Sequence, residues 1–278
     1  MSPVLTSPLV STQWLADHLG SDALVVLDAS VHTSGAGAAT TWRSADDDYA
    51  GVGHVPGAVF ADLVDALSAA DEPLPFTRPD VGRFEQAVGA LGVSNSSTVV
   101  VYDAAFGQWA ARLWWLFRSF GFDDVAVLDG GFRKWQAEER PMRGGRLRPR
   151  PATFLAAEER PLWADRARVL RAVDGAEPAV LVRALADVDL GPEHPDDIPG
   201  SVVIPVQELL DAATNALLRP PNLRSVFGRV LAADEIVTYC GVGNAACLDA
   251  LALTMLGHER VRVYDGSLSE WWGAAVRR

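Results

Sequence analysis

The chain holds one lysine, Lys134, and two cysteines, Cys240 and Cys247, among 278 residues. Two cysteines build neither a disulfide framework nor, by themselves, a zinc site. Each is expected to be a reduced thiol, packed or reactive. Basic residues are outnumbered, 24 Lys and Arg against 36 Asp and Glu, for a net charge of −12. Nucleic acids and anionic membranes are bound by surplus Lys and Arg, so neither is an expected partner; a local positive pocket for a small anion stays open. No apolar run approaches the roughly 18–20 residues of a membrane helix. The opening "MSPVLTSPLVSTQWLADHLG" lacks the basic start and continuous apolar stretch of a signal peptide. The expected compartment is the cytoplasm, and the expected state is a monomer or weak dimer.

What the chain does have is a core and a repeat. Hydrophobic residues make up 49% and charged residues 22%, the profile of a globular protein with a sizeable interior. In the first half "ALVVLDAS" (23–30) precedes "GHVPGAVFADL" (53–63), "STVVVYDAAFGQWAARLWWLFRSFG" (97–121) and "VAVLDGGFRKW" (125–135). The second half answers in the same order with "AVLVRAL" (179–185), "DDIPGSVVIPVQELL" (196–210), "EIVTYCGVGNAACLDALALTMLG" (235–257) and "VRVYDGSLSEWW" (261–272). Pro56-Gly57 matches Pro199-Gly200, Asp129-Gly130 matches Asp265-Gly266, and Trp135 matches Trp271. Four blocks repeated in order indicate two homologous domains.

The runs "LVVLD", "STVVVY", "VAVLD", "EIVTY" and "VRVY" are short, β-branched and bounded by polar or Gly residues, as strands buried on both faces are. Segments with helical spacing alternate with them, such as Phe84, Val88 and Leu91, or Leu113, Leu116, Phe117 and Phe120. The alternation predicts an α/β fold, each domain a parallel sheet flanked by helices. The Arg-, Gly- and Pro-rich stretch at 143–155 reads as the linker between domains at 1–142 and 156–278. "SADDDYAGVG" (44–53) reads as a solvated acidic turn that holds no metal.

Cys240 closes the strand "EIVTY" and opens the loop "GVGNAA", ahead of a helix starting near Cys247. Ligand crevices of open α/β sheets lie at the carboxyl ends of strands. Gly241 and Gly243 permit backbone angles that turn successive amides toward one point, and the helix adds its own N-terminal amides. A thiolate, or a thiol carrying a second sulfur, fits such a cradle. A packed thiol ending a core strand is the other reading; Cys247, at an apolar helical position, is read that way. A phosphatase built on the same cradle wants an Arg six positions after the Cys, where this chain has Ala246.

Together these blocks resemble the tandem-domain rhodanese family of thiosulfate and 3-mercaptopyruvate sulfurtransferases. The resemblance rests on "GHVPGA" with its echo "DDIPGS", on "ARLWWLFRSFG", on both Asp-Gly-(Gly/Ser) blocks leading to Trp, and on the second-domain Cys loop. It implies two rhodanese-like domains, catalysis by Cys240 alone, and Asp103 at the matching place of a non-catalytic first domain. It further implies a cysteine persulfide with no metal or organic cofactor. The partners are a small-molecule sulfur donor and a thiophilic acceptor such as cyanide or a thiol. Gly241, Val242, Gly243, Asn244, Ala245 and Ala246 then bind the substrate. Arg112 joins them if it faces the interdomain cleft, with Arg118 a second such arginine. His54 either orders its turn or steers substrate, and Trp109 either walls the pocket or packs at the interface. A degenerate rhodanese that binds without turnover is the alternative.

The chain departs from the family pattern at several places. Val242, Asn244 and Ala245 replace Ser, Val and Thr of the usual loop, so no serine relay runs through position 242. Arg183 and Leu185 replace the Asp and Arg of the usual Asp-x-Arg strand end. The following "ADVDLGPEHPDD" contains no arginine, and Asp197 stands where a His is usual. An anionic donor therefore lacks its usual guanidinium partners, each worth about 1.5–3 kcal/mol.

Overall fold

The protein is described here by a computed structural model covering residues 3–35, 39–190 and 197–273. In the first half run β1 (Leu9–Val10), α1 (Thr12–His18), β2 (Leu24–Asp28), β3 (Val31–Ser34), β4 (Thr41–Ser44), α2 (Asp46–Gly51) and β5 (Val59–Phe60). They are followed by α3 (Val81–Ala90), β6 (Thr98–Tyr102), α4 (Gln108–Ser119), β7 (Val125–Leu128) and α5 (Gly131–Ala137). The second half holds β8 (Trp163–Ala164), α6 (Arg166–Val173), β9 (Val180–Arg183), α7 (Asp187–Leu190), β10 (Val202–Val203) and α8 (Pro220–Val226). It ends with β11 (Ile236–Tyr239), α9 (Ala245–Met255), β12 (Val261–Tyr264) and α10 (Ser267–Trp271).

The repeated blocks fold alike. One sheet runs β1-β7-β6-β2-β5 and the other β8-β12-β11-β9-β10, the same order of matched strands. Every pairing within the two sheets is parallel. The central strand β6 is buried at all its positions, which is why its sequence, TVVVY, is an unbroken apolar run rather than an alternating one. In the first half β3 and β4 pair as an antiparallel ribbon, an element without a counterpart among the described residues of the second. There Asp187–Leu190 of the arginine-free stretch "ADVDLGPEHPDD" form α7, and its residues 191–196 lie outside the described residues.

Two local readings change. The acidic stretch at 44–53 is not a free turn: Asp46–Gly51 form a short helix with all three aspartates in its first turn, where negative charge complements the helix N-terminus. Arg146 pairs with Asp46 and Asp47 at 2.6 Å, and His32 meets Asp48 at 2.9 Å. The stretch at 143–155, without helix or strand apart from an isolated bridge at Arg143, is a strap held on the first domain. Arg143 exchanges backbone hydrogen bonds with His54, Gly145 donates to Ala50 and Ala152 donates to Gly89. A Cβ on Gly89 would lie 2.7 Å from the Ala152 carbonyl, so the strap fits only over glycine there. Phe154 anchors it among Phe84, Phe117 and Phe122.

The domains meet through α4 and α9, the helices that follow β6 and β11. Ten residues of α4 are buried, and α9 is buried continuously from Ala245 to Leu253. A helix buried all round is apolar all round, as "AACLDALAL" nearly is. The main apolar cluster draws on both halves, including Trp109, Trp114 and Phe117 with Val182, Leu248 and Leu251. Among the described residues no helix is long and apolar enough to cross a membrane.

Candidate active site

Cys240 follows β11 directly and is 2% exposed. Its N–H donates to Ser267 Oγ at 3.1 Å, and its carbonyl accepts from Leu268 N–H at 3.0 Å. The Gly241 carbonyl accepts from both the backbone N–H and the hydroxyl of Ser269, at 3.0 and 2.9 Å. These bonds fix the loop to the first turn of α10. Ser267 supplies its contacts from a left-handed backbone, φ 47°, a conformation that costs a non-glycine residue of order 1–3 kcal/mol. Gly243, at φ 79°, has no alternative: a Cβ there would lie 2.6 Å from the Asp265 carbonyl. With the loop so held, none of the backbone N–H groups from Gly241 to Ala246 donates to an acceptor among the described residues.

The first domain shows what such amides do when an acceptor is present. Asp103 closes β6 as Cys240 closes β11, and its carbonyl accepts from Phe132 N–H at 2.9 Å, the counterpart of the Leu268 bond. Its Oδ1 accepts from the amides of Ala105 and Gly107 at 2.8 and 3.0 Å. Its Oδ2 accepts from Trp109 and Ala110, both at 2.9 Å. Burial pushes the Asp103 carboxyl up, while the four amide bonds pull the other way. The matching donors around Cys240 are Val242, Asn244, Ala246 and Cys247, by the same offsets along the chain. Of these only Cys247 N–H has an acceptor among the described residues, the Asn244 carbonyl at 3.0 Å. A cysteine side chain is one atom shorter than an aspartate and stops short of where the Asp103 oxygens lie.

Arg112 lies behind this loop rather than in its mouth. It is 1% exposed, pairs with Asp265 at 2.6 Å, donates to the carbonyls of Phe76 and Gly243, and stacks on Trp163 at 4.5 Å. Burial works against its charge, but Asp265 and Cys247 outweigh it, and the pKa is raised. The Cys247 thiol donates to the Gly243 carbonyl at 3.2 Å, and burial pushes it up to about 12. It is a packed thiol. Arg118 pairs with Asp123 at the surface and lies over Trp114. Trp109 is buried against Phe76.

The departures at Arg183 and Asp197 turn out to be one change. Arg183 pairs with Asp197 at 3.0 Å and also with Asp187, and the Tyr239 hydroxyl donates to Asp197 at 2.5 Å. Arg183 lies opposite Tyr239 in register, as Asp28 lies opposite Tyr102. Asp197 and His54 both precede a Pro-Gly turn. At the two matched positions the second domain has therefore exchanged acid for base and base for acid, and there the two side chains form an ion pair; Asp28 and His54 are bonded to other groups, Asp28 to Ser30 and His54 to the Val55 and Gly145 carbonyls. His54 is 2% exposed, with Nδ1 at 2.9 Å from the Val55 carbonyl and Nε2 at 3.1 Å from the Gly145 carbonyl, stacked on Tyr49. Those partners belong to its own domain and the strap. Leu185 does reach the Cys loop: its Cδ1 would be 3.7 Å from a Cβ on Gly241.

The site therefore gathers Cys240, residues 241–246, Leu185 and, from behind, Arg112. Sequence reasoning missed Asp265, Ser267 and Ser269 as its supports. The signal was present in "DGSLSEWW" against "DGGFRKW": a serine stands where the first domain has Gly131, whose added Cβ would lie 2.6 Å from the Asp103 carbonyl. A cavity of about 790 Å³ lies beside these supports and includes Trp163, Asp265 and Ser269 in its lining, but not Cys240.

A family model described as "Rhodanese-like domain" matches residues 11–138 and 172–274. The chain belongs to the rhodanese-like family. Over 288 residues it is 35% identical to thiosulfate sulfurtransferase of Cricetulus griseus, an alignment covering 98% of this chain and 94% of that one. Over 280 residues it is 31% identical to 3-mercaptopyruvate sulfurtransferase of Escherichia coli (strain K12), covering 97% and 96%. Among solved structures it resembles SseA from Escherichia coli, a 3-mercaptopyruvate sulfurtransferase of "Rhodanese" fold, with a TM-score of 0.82 and 29% identity. That superposition covers 94% of this chain and 99% of the other. Both halves of this chain thus carry the rhodanese-like domain that the tandem blocks implied.

Proposed function

We propose that Cys240 carries the transferred sulfur as a persulfide, in a two-step displacement. The activity itself is sulfur transfer, as in relatives that match nearly the full length of the chain. That argues against the alternative of binding without turnover. In the first step the Cys240 thiolate attacks the outer sulfur of a donor. The donor's bond to that sulfur breaks, and its remainder departs with the electron pair, sulfite in the case of thiosulfate. In the second step an acceptor such as cyanide attacks the outer sulfur, leaves as thiocyanate, and returns Cys240 as thiolate.

The observation that carries this reading is the Asp103 carboxylate. It occupies the first domain's cradle with four amide bonds, and the amides of Val242, Asn244 and Ala246 have no acceptor among the described residues of the second. An anionic outer sulfur on Cys240 would take the place of those carboxylate oxygens. Preorganised donors aimed at developing charge contribute most where water is excluded. Arg112 acts as a positioning residue: it holds the Gly243 carbonyl and Asp265 and so keeps the loop open toward Cys240. The reading assigns no step to a metal or organic cofactor.

The test is mass spectrometry of the intact protein after incubation with thiosulfate, 3-mercaptopyruvate and an alkyl hydropersulfide. One added sulfur on Cys240, removed by cyanide and absent in Cys240→Ser, is the expected result. An unmodified Cys240 with all three donors would overturn the assignment.

A further inference from the structure

Within residues 240–246 and the strand end at 183–185, those not fully buried are Leu185, Gly241 and Val242; Asp265, also partly exposed, lies behind the loop on Arg112. Among the described residues Leu185, Gly241 and Val242 form the partly exposed rim of the Cys loop, and none of them carries a charge. Two buried guanidinium groups bear on the described residues around the loop, and both are engaged. Arg112 is buried behind the loop on Asp265, Phe76 and Gly243. Arg183, also buried, is held between Asp187 and Asp197. The formal charges of that cluster are one positive and two negative, so its net effect on an incoming anion is repulsive. The six loop amides offer hydrogen bonds to the sulfur being transferred, but a carboxylate or sulfonate further along the donor meets an apolar rim.

We infer that Leu185 is a specificity-determining residue and that it favours donors without an anionic head, of the alkyl hydropersulfide class R–S–SH. The inference rests on the persulfide reading of Cys240 and names its donor class. The step balances: the Cys240 thiolate attacks the terminal sulfur of R–S–SH, the donor S–S bond breaks, and a new S–S bond forms on Cys240. R–S⁻ departs with the electron pair and takes up a proton from water, while the proton of the terminal sulfur stays with the transferred atom. An alkyl group lies against Leu185 and Val242 at no desolvation cost, whereas an anion there loses water without gaining a partner.

The test compares second-order rate constants for sulfur loading of Cys240, read by acid quench and mass spectrometry. The donors are thiosulfate, 3-mercaptopyruvate and a short alkyl hydropersulfide, with Cys240→Ser as the control for loading elsewhere. In the unaltered protein the hydropersulfide is expected to load at least about tenfold faster than either anion. Leu185→Arg, a change at a half-buried position, is expected to shift that ratio toward the anions by about tenfold or more, the effect of one charge-assisted contact. Leu185→Gln, polar but neutral, is expected to leave the ratio within about threefold. Equal or faster loading by thiosulfate or 3-mercaptopyruvate in the unaltered protein overturns the inference, as does an equal shift in the Arg and Gln variants. Either result leaves the Cys240 persulfide intact; failure of all three donors to load Cys240 removes that reading as well.

Discussion

Arg183 and Asp197 meet at 3.0 Å in the second domain, at the places where the first domain sets Asp28 and His54. Removing one partner strands the other: Arg183 is buried, and a buried charge without its counter-ion is destabilising. Asp197→Asn is expected to lower unfolding stability by about 1–3 kcal/mol, since Asp187 still faces Arg183. Arg183→Met should cost less, because it removes the buried charge itself. In urea denaturation the double variant should show a coupling of about 0.5–3 kcal/mol between the two sites. Additive effects would mean the pair is incidental.

Asp103 is expected to be a structural keystone of the first domain with no part in turnover. Asp103→Ala removes the acceptor of four amides, and each donor left dry costs roughly 1–3 kcal/mol. Thermal melts should show a loss of at least about 2 kcal/mol, smaller in Asp103→Asn, which retains one carbonyl oxygen. The rate of sulfur loading on Cys240, measured well below the melting transition, should stay within about threefold. A larger fall would mean the first-domain loop takes part in the chemistry.

Asp249 sets a pH dependence. It is fully buried in α9, neither carboxylate oxygen has a partner among the described residues, and burial pushes its pKa well up. The folded form holds a proton that the unfolded chain releases near the ordinary carboxylate value of about 3.9. Stability contributed by this group is therefore present below about pH 4 and is lost as pH rises toward neutrality. Asp249→Asn, neutral at every pH, should flatten that part of the curve and be the more stable protein at pH 7. Parallel pH–stability curves for the two proteins would refute the assignment.

Ser267 should separate support from strain. Ser267→Ala keeps a side chain at φ 47° and loses the acceptor of Cys240 N–H, which predicts a destabilisation of about 1–2 kcal/mol. Ser267→Gly loses the same hydroxyl but relieves the backbone, so its stability should fall less. Both should slow sulfur loading of Cys240, because the loop's register on α10 is loosened in each. Unchanged loading in both variants would show that Ser267 only packs.

Much of the architecture was legible because a duplicated chain states its pattern twice. The runs at β2, β6, β7, β11 and β12 are plain from their β-branched residues and their polar or Gly boundaries. β1, β5, β8 and β10, each two residues long, carry too few side chains to show a period and are defined only by the strands beside them. The β3–β4 ribbon falls in an insertion between repeated blocks, where no second copy exists to compare. In the Cys240 loop Gly243 takes the left-handed backbone, φ 79°, that the two glycines were expected to permit, and Gly241 does not. Arg112 was harder: a guanidinium on a helix suggests solvent, and only the packing of α4 on α9 reveals that this one is buried. Arg183 and Asp197 are 14 residues apart and were read as two losses, since their compensation exists only in three dimensions.

Asp103 also bears on why the two halves differ in reactivity. Its carboxylate is tethered to the backbone that surrounds it, so for the first-domain amides it is a ligand that never dissociates. A free anion competing for those amides faces an intramolecular rival of very high effective concentration. The first cradle is thus permanently saturated, and one side chain in 278 keeps a duplicated receptor from drawing donor away from its twin.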